Sequence, residues 1–194
     1  MIEQINLTQG ELLDVVDIYG DPIGEIMDKQ TIHDQGIRHR DVHVWITNGR
    51  EVLQQQRRFD KSIMPGEWDI SVGGHVAAGE SYTESAIRET GEELGLWLPK
   101  ERFIRIGRVA TKLWLNGWEH AHNIVGDNFV VVEPDLTLSD LHLQESEVAD
   151  ARWYDLNQLE DDLVHPDTAR RHAAQPTVLY ALGLAGMRGA SVNA

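Results

Sequence analysis

GHVAAGESYTESAIRETGEELGL, residues 74–96, sets Gly74, Glu80, Arg88, Glu89, Glu92, Glu93 and Gly95 at fixed spacings along one short stretch. Ser81 followed three residues later by Glu84 makes a capping box, in which each side chain satisfies an amide donor left open at a helix start. Ala86, Ile87, Thr90 and Leu94 then recur at intervals of three and four, which gives one buried stripe. Gly95 ends the helix, because glycine accepts the left-handed backbone that a helix stop adopts. Glu89, Glu92 and Glu93 share the remaining face, since side chains three and four apart stand next to one another. Each like-charge pair there costs about 0.2–0.5 kcal/mol. Gly91 in mid-helix costs roughly another 1 kcal/mol relative to alanine. A helix that accepts these penalties points to chemistry rather than to stability. A divalent cation among the carboxylates would hold them together.

A short run of glutamates is by itself usually a solvated acidic face. Here seven residue identities are fixed at once. At about one in twenty per position, a chance match is on the order of one in a million or rarer.

The chain has 194 residues, with 17 Lys and Arg against 32 Asp and Glu and a net charge of −15. That length suits a single domain over residues 1–194 with a sizeable core. The acidic balance excludes an electrostatic footprint for a nucleic-acid backbone, so nucleic acid is not an expected partner. A small anionic substrate would need a bridging metal ion or a local group of cations. Cysteine is absent, which excludes disulfides, thiolate metal sites and thiol nucleophiles. MIEQINLTQGELLDVV has neither a basic leader nor a continuous apolar run, so no secretory signal is expected. No apolar stretch reaches the length that spans a bilayer, so no membrane partner is expected either. The expected location is the cytoplasm.

Around the helix the pattern is one of strands. Leu12–Ile18 and Ile23–Ile26 pair about the turn Tyr19-Gly20-Asp21-Pro22. His33–Arg40 is polar and basic. Val42, Val44 and Ile46 alternate with His43 and Trp45 as in a half-buried strand. Asn48-Gly49 is a hairpin turn from which Glu51–Arg58 returns. Met64-Pro65-Gly66 turns the chain into a strand over Trp68–Val72. Further strands fall within Phe103–Leu115, Asn128–Val132 and Glu147–Tyr154. Leu156–Leu163 is a short helix and Pro176–Met187 a last one, with Gly189–Ala194 expected to fray. Strands on both sides of a helix predict an α/β domain whose mixed sheet packs between helices.

The pattern from Gly74 to Gly95 resembles the signature of the Nudix hydrolases, which cleave diphosphate bonds linked to some other group. GEWDISVGGHVAAGES looks like the segment that delivers the Nudix loop. QESEVADARWYDLNQL looks like the strand and helix that close the domain, so the likeness covers about residues 9–165. Thr90 stands where the signature usually holds an aliphatic residue; it keeps β-branched volume and can return its hydroxyl to the backbone. The resemblance implies an α/β/α sandwich. It also implies Mg²⁺ or Mn²⁺ held by Glu89, Glu92, Glu93 and the Gly74 carbonyl, with Glu80 reaching from the loop to Arg88, which braces the acids. Water activated there would attack phosphorus, with Glu92 as the first candidate for general base and Glu147 as the second. Arg57, Arg58 and Lys61 are the candidates for gripping the substrate's phosphates. Arg38 and Arg40 are further candidates, as are Trp114 and Trp118 for stacking on a base. A homodimer follows by analogy.

Within that family, DVVDIYGDPIGE, RHRDVHVWI and SVGGHV look most like isopentenyl-diphosphate isomerase and hydrolases related to it. The isomerase uses a cysteine where this chain has Gly73. It also places histidines on a metal; His33 and His75 match two such positions, and Arg40 stands at the third. Its later acidic pair has no counterpart near Asn123–Asn128. The full carboxylate set instead favours hydrolysis of a nucleoside diphosphate-type or other small organic diphosphate. A non-catalytic nucleotide-sensing module would have lost one or more of these glutamates, and the chain keeps them all.

Overall fold

The computed structural model describes residues 10–61, 64–114, 121–164 and 177–191. In chain order the elements are β1 (Leu12–Val16), β2 (Pro22–Asp28), α1 (Lys29–Gln35), β3 (His39–Thr47), β4 (Glu51–Arg57), β5 (Trp68–Asp69) and β6 (Val72–His75). They continue with α2 (Tyr82–Leu94), β7 (Ile104–Trp114), β8 (Ala121–Val132), β9 (Val148–Asp155), α3 (Leu156–Val164) and α4 (Thr177–Ser191). β1 and β2 form a hairpin of their own. The main sheet runs β5-β4-β3-β8-β7, with β6 also paired to β3 and β9 to β4. β3 and β8 are parallel and the other pairs antiparallel, so the sheet is mixed.

β3 explains the layering. Val42, Val44 and Ile46 lie on one face with Leu53, Val72 and Phe129, against Ala86 and Leu94 of α2. Trp45 lies on the other with Val52 and Val130, against Leu156 and Leu159 of α3 and Tyr180, Leu184 and Met187 of α4. The sheet is thus covered on both faces, as the α/β/α expectation required. It also corrects the half-buried reading of β3, because all nine of its residues are buried. The helical layers approach closely where side chains are missing. A Cβ at Gly183 would lie 2.3 Å from the Trp45 ring and one at Gly186 2.7 Å from Ile106.

Three local expectations need correction. α1 was not expected in the polar segment from His33; Asp28 caps it by accepting from Thr31 N at 3.0 Å, and Gly36 ends it at φ 62°. α4 continues to Ser191, so Gly189–Ser191 is helical rather than frayed, while Val192–Ala194 lies outside the described residues. Gly91 answers to packing and not to the chemistry of the acidic face, since a Cβ there would lie 2.5 Å from the Trp97 ring. Thr90 does donate to Ala86 O, at 2.7 Å.

The hairpin braces the loop that leads into α2. Buried Arg40 donates to Asp14 Oδ2 at 2.6 Å, and the same oxygen accepts from Gly79 N at 3.0 Å. Ala78 N donates to Leu12 O at 2.8 Å. No helix among the described residues is long and apolar enough to cross a membrane.

Candidate active site

Both ends of α2 are set by the sequence. Glu84 N donates to Ser81 Oγ at 3.3 Å while Ser81 N donates to Glu84 at 2.8 Å, and Gly95 closes the helix at φ 73°. Its acidic face opens on a cavity of about 670 Å³ whose lining includes Gly74, Glu89, Glu92 and Glu93. Arg57, Lys61 and Glu147 reach the same cavity from β4, the turn after it and the segment before β9.

Arg88 joins the carboxylates. Its Nη1 donates to Glu89 at 2.8 Å and to Glu92 at 3.1 Å. Its Nη2 donates to Glu80 and to the His75 carbonyl, each at 3.1 Å. Glu80, which Ser85 Oγ also meets, stands behind the guanidinium outside the cavity lining. The three acids differ in access. The Glu92 side chain is 45% exposed against 12% for Glu89. Glu93 is buried, accepting from Gln55 Nε2 at 2.9 Å.

Gly74 explains how the Glu89 carboxylate comes so near the strand. A Cβ at that position would lie 2.3 Å from Glu89 Cδ. The carboxylates of Glu89, Glu92 and Glu93 line the cavity with Gly74, and oxygen donors of this kind suit a hard divalent cation. Electrostatics agree. Burial, opposed by Arg88, pushes the Glu89 carboxyl up to about 7. Burial, with Glu89's charge added, pushes that of Glu93 well above the carboxylate range. A cation would have to displace those protons.

A carboxyl raised from 4.5 to about 7 on folding stabilises the folded state while protonated, and that contribution is lost as pH rises through about 7. For Glu89 this amounts to on the order of 3 kcal/mol. We therefore expect the melting temperature of cation-free protein to fall between about pH 5 and pH 8. Mg²⁺ or Mn²⁺ should raise it more at the upper end, as thermal melts in buffers with and without the ion will show.

Other expected residues lie elsewhere. Arg58 pairs with Asp60 at 3.4 Å and is not in the cavity lining. Arg38 donates to Asn123 at 3.3 Å, Arg40 is committed to Asp14, and neither lines the cavity. The side chains of Trp114 and Trp118 lie outside the described residues. Glu147 is held by Lys61 at 2.6 Å.

Sequence reasoning missed several lining residues, among them Glu11, Lys29, Asp41, His43, Gln55 and Asp69. It also misplaced a histidine. His33, His39 and His75 present ring nitrogens within 4.8 Å of one another, so His39, and not Arg40, is the third member of that group. His33 Nε2 and His75 Nε2 are 3.1 Å apart, and His39 Nδ1 donates to Ile37 O at 2.9 Å. The signal was present as the residue next to Arg40; only strand alternation shows which of the two turns toward the histidines.

The NUDIX domain model matches residues 37–175. The chain belongs to the Nudix family. Nudix hydrolase 3 of Arabidopsis thaliana is 33% identical over 162 residues, 82% of this chain and 21% of that protein. Isopentenyl-diphosphate Delta-isomerase of Rhodobacter capsulatus is 29% identical over 137 residues, 71% of this chain and 75% of that protein. The crystal structure of DR0079 from Deinococcus radiodurans shares the fold with a TM-score of 0.57 at 20% identity, covering 89% of this chain and 97% of that one. The chain spans about a fifth to a half of the length of the first curated relatives it matches.

Proposed function

We propose that the protein is a divalent-cation-dependent hydrolase that cleaves the diphosphate linkage of a nucleoside diphosphate-type or other small organic diphosphate by attack of water on phosphorus. The observation that carries this is the row Glu89, Glu92 and Glu93 lining one cavity with Gly74, with Arg88 bonded to the first two and Gln55 to the third. Glu89, Glu92, Glu93 and the Gly74 carbonyl would hold Mg²⁺ or Mn²⁺, which supplies polarisation of phosphate oxygens and of water when bound. Arg88, turned by Glu80, keeps the acids at their spacing. Glu92 is the most open of the three acids and so is the first candidate for taking the proton from water. Glu147 is the second, and its bond to Lys61 must loosen for it to serve. Arg57 and Lys61 line the cavity where phosphate oxygens would enter.

The test is a panel of diphosphates with Mg²⁺ or Mn²⁺, with products identified by mass. Release of phosphate or a monophosphate from at least one compound is expected. Binding without turnover across the panel would instead support a sensing module. One observation favours a second reading: the three-histidine group, together with the likeness to the isomerase. Against it, Gly73 stands where the isomerase has cysteine. Isopentenyl diphosphate belongs in the panel for this reason, and its isomerisation without phosphate release would overturn the hydrolase reading.

A further inference from the structure

Arg88 donates to Glu89 and Glu92 and leaves out the third acid of the row. Among the described residues, the side-chain bond to the Glu93 carboxylate comes from Gln55, a neutral amide, at 2.9 Å. Both side chains are buried, and both residues line the cavity. Two of the acids thus have their charge offset by a guanidinium, whereas Glu93 is given a donor without a charge. A divalent cation entering the row is drawn most strongly to a carboxylate that no other cation compensates.

Gln55 is fixed where it stands. β4 lies between β5 and β9, and Gln55 pairs with Asp69 on one side and Ala151 on the other. The pleat turns it toward the cavity and sends Gln54 and Gln56 to the opposite face. There Gln54 accepts from Arg152 at 2.8 Å and Gln56 donates to Gly66 O at 2.9 Å, and neither lines the cavity. β4 does carry a cation into the cavity lining, Arg57, two residues further along. The residue that meets Glu93 is nonetheless the neutral one. A lysine or arginine in its place would hold the carboxylate as an ion pair and compete with a divalent ion. An amide orients the carboxylate without neutralising it.

We propose that Gln55 is a positioning residue for the cation: it fixes the Glu93 carboxylate from the sheet and, being uncharged, leaves that carboxylate's charge to Mg²⁺ or Mn²⁺. This rests on the cation-dependent hydrolase reading of the cavity. A bond that only tied α2 to β4 would behave otherwise. Any donor of suitable length would then serve, and its loss would lower stability without acting through Glu93.

The experiment is Mn²⁺ titration of the full chain without substrate, followed by electron paramagnetic resonance. It compares wild type, Gln55→Met, Gln55→Lys, Glu93→Gln, and Gln55→Met combined with Glu93→Gln. Gln56→Met, which removes a bond of the same kind outside the cavity, is the control. Gln55→Met should raise the Kd for Mn²⁺ about 10- to 100-fold, and Gln56→Met should leave it unchanged. The combined variant should match Glu93→Gln alone, because the two residues act as one unit. Gln55→Lys should melt no lower than Gln55→Met in cation-free buffer, yet bind Mn²⁺ more weakly still. Unchanged Kd in Gln55→Met, additive losses in the combined variant, or wild-type Mn²⁺ affinity in Gln55→Lys would each overturn the proposal. Where Gln55→Met does not fold, Gln55→Lys decides by the same criterion. Diphosphate turnover by wild type, with Mn²⁺ affinity untouched in Gln55→Met, would remove the role of Gln55 and leave the hydrolase. Mn²⁺ affinity lost in Gln55→Met, with no compound hydrolysed by wild type, would remove the hydrolase and leave the role of Gln55.

Discussion

Glu93→Gln is expected to lower kcat/KM with Mg²⁺ about 10²–10⁴-fold without unfolding the protein. The fold should survive because burial already drives Glu93 toward its neutral form in the cation-free protein. Glutamine has the same shape as that neutral carboxyl, and its amide oxygen can still accept from Gln55 Nε2. What is lost is the negative charge that a divalent cation requires. Mn²⁺ titration followed by electron paramagnetic resonance should therefore show weakened binding in Glu93→Gln. Glu92→Gln separates the two roles assigned to these acids. Its side chain is the more exposed, and a loss of kcat larger than the loss of Mn²⁺ affinity would mark it as the base. Wild-type activity in both variants would mean that the row of acids is not the catalytic centre.

Glu93 also shows where sequence reasoning ends. Its place on the acidic face of α2 follows from spacing alone, and so do the capping box at Ser81 and the stop at Gly95, because these depend on neighbours within a turn or two. Its burial does not, since the Gln55 that covers it comes from β4, 38 residues away in the chain. The strands around α2 were legible for the same local reason, through alternation and turn residues. α1 was not, because only Ile32 of its seven residues is buried, leaving no stripe to detect. β3 read as half-buried because His43 is polar. Layers on both faces bury it anyway, a fact decided by packing elsewhere in the chain. The cavity wall is the least legible part. Glu11, Lys29, Asp41 and Asp69 come from separate segments that meet only when the sheet assembles. Arg40 and His39 illustrate the limit most sharply. They are adjacent in sequence, yet the pleat sends one to Asp14 and the other to the histidines.

Gly74→Ala should weaken cation binding severely while Gly73→Ala, one residue away, should not. The two glycines both line the cavity, and neither has a positive φ, so alanine meets no backbone strain at either. The difference is in what a new methyl group would meet. At Gly73 its nearest neighbour is Ile70 Cδ1 at 3.6 Å, an ordinary contact. At Gly74 it would fall 2.3 Å from Glu89 Cδ and 2.6 Å from Glu89 Oε1, which cannot coexist with it. Glu89 is the flexible partner and will move, so the sheet and helix should stay in place. A displaced Glu89 loses its place beside Gly74 and its bond from Arg88 Nη1, and the proposed oxygen donors no longer converge. Mn²⁺ affinity should fall by about 100-fold or more, since lesser disturbances around bound metals already cost about 10- to 100-fold. The rise in melting temperature on adding Mg²⁺ should disappear with it. Retention of wild-type Mn²⁺ affinity by Gly74→Ala would show that Glu89 does not act beside the strand, and the proposed cation site would have to be abandoned.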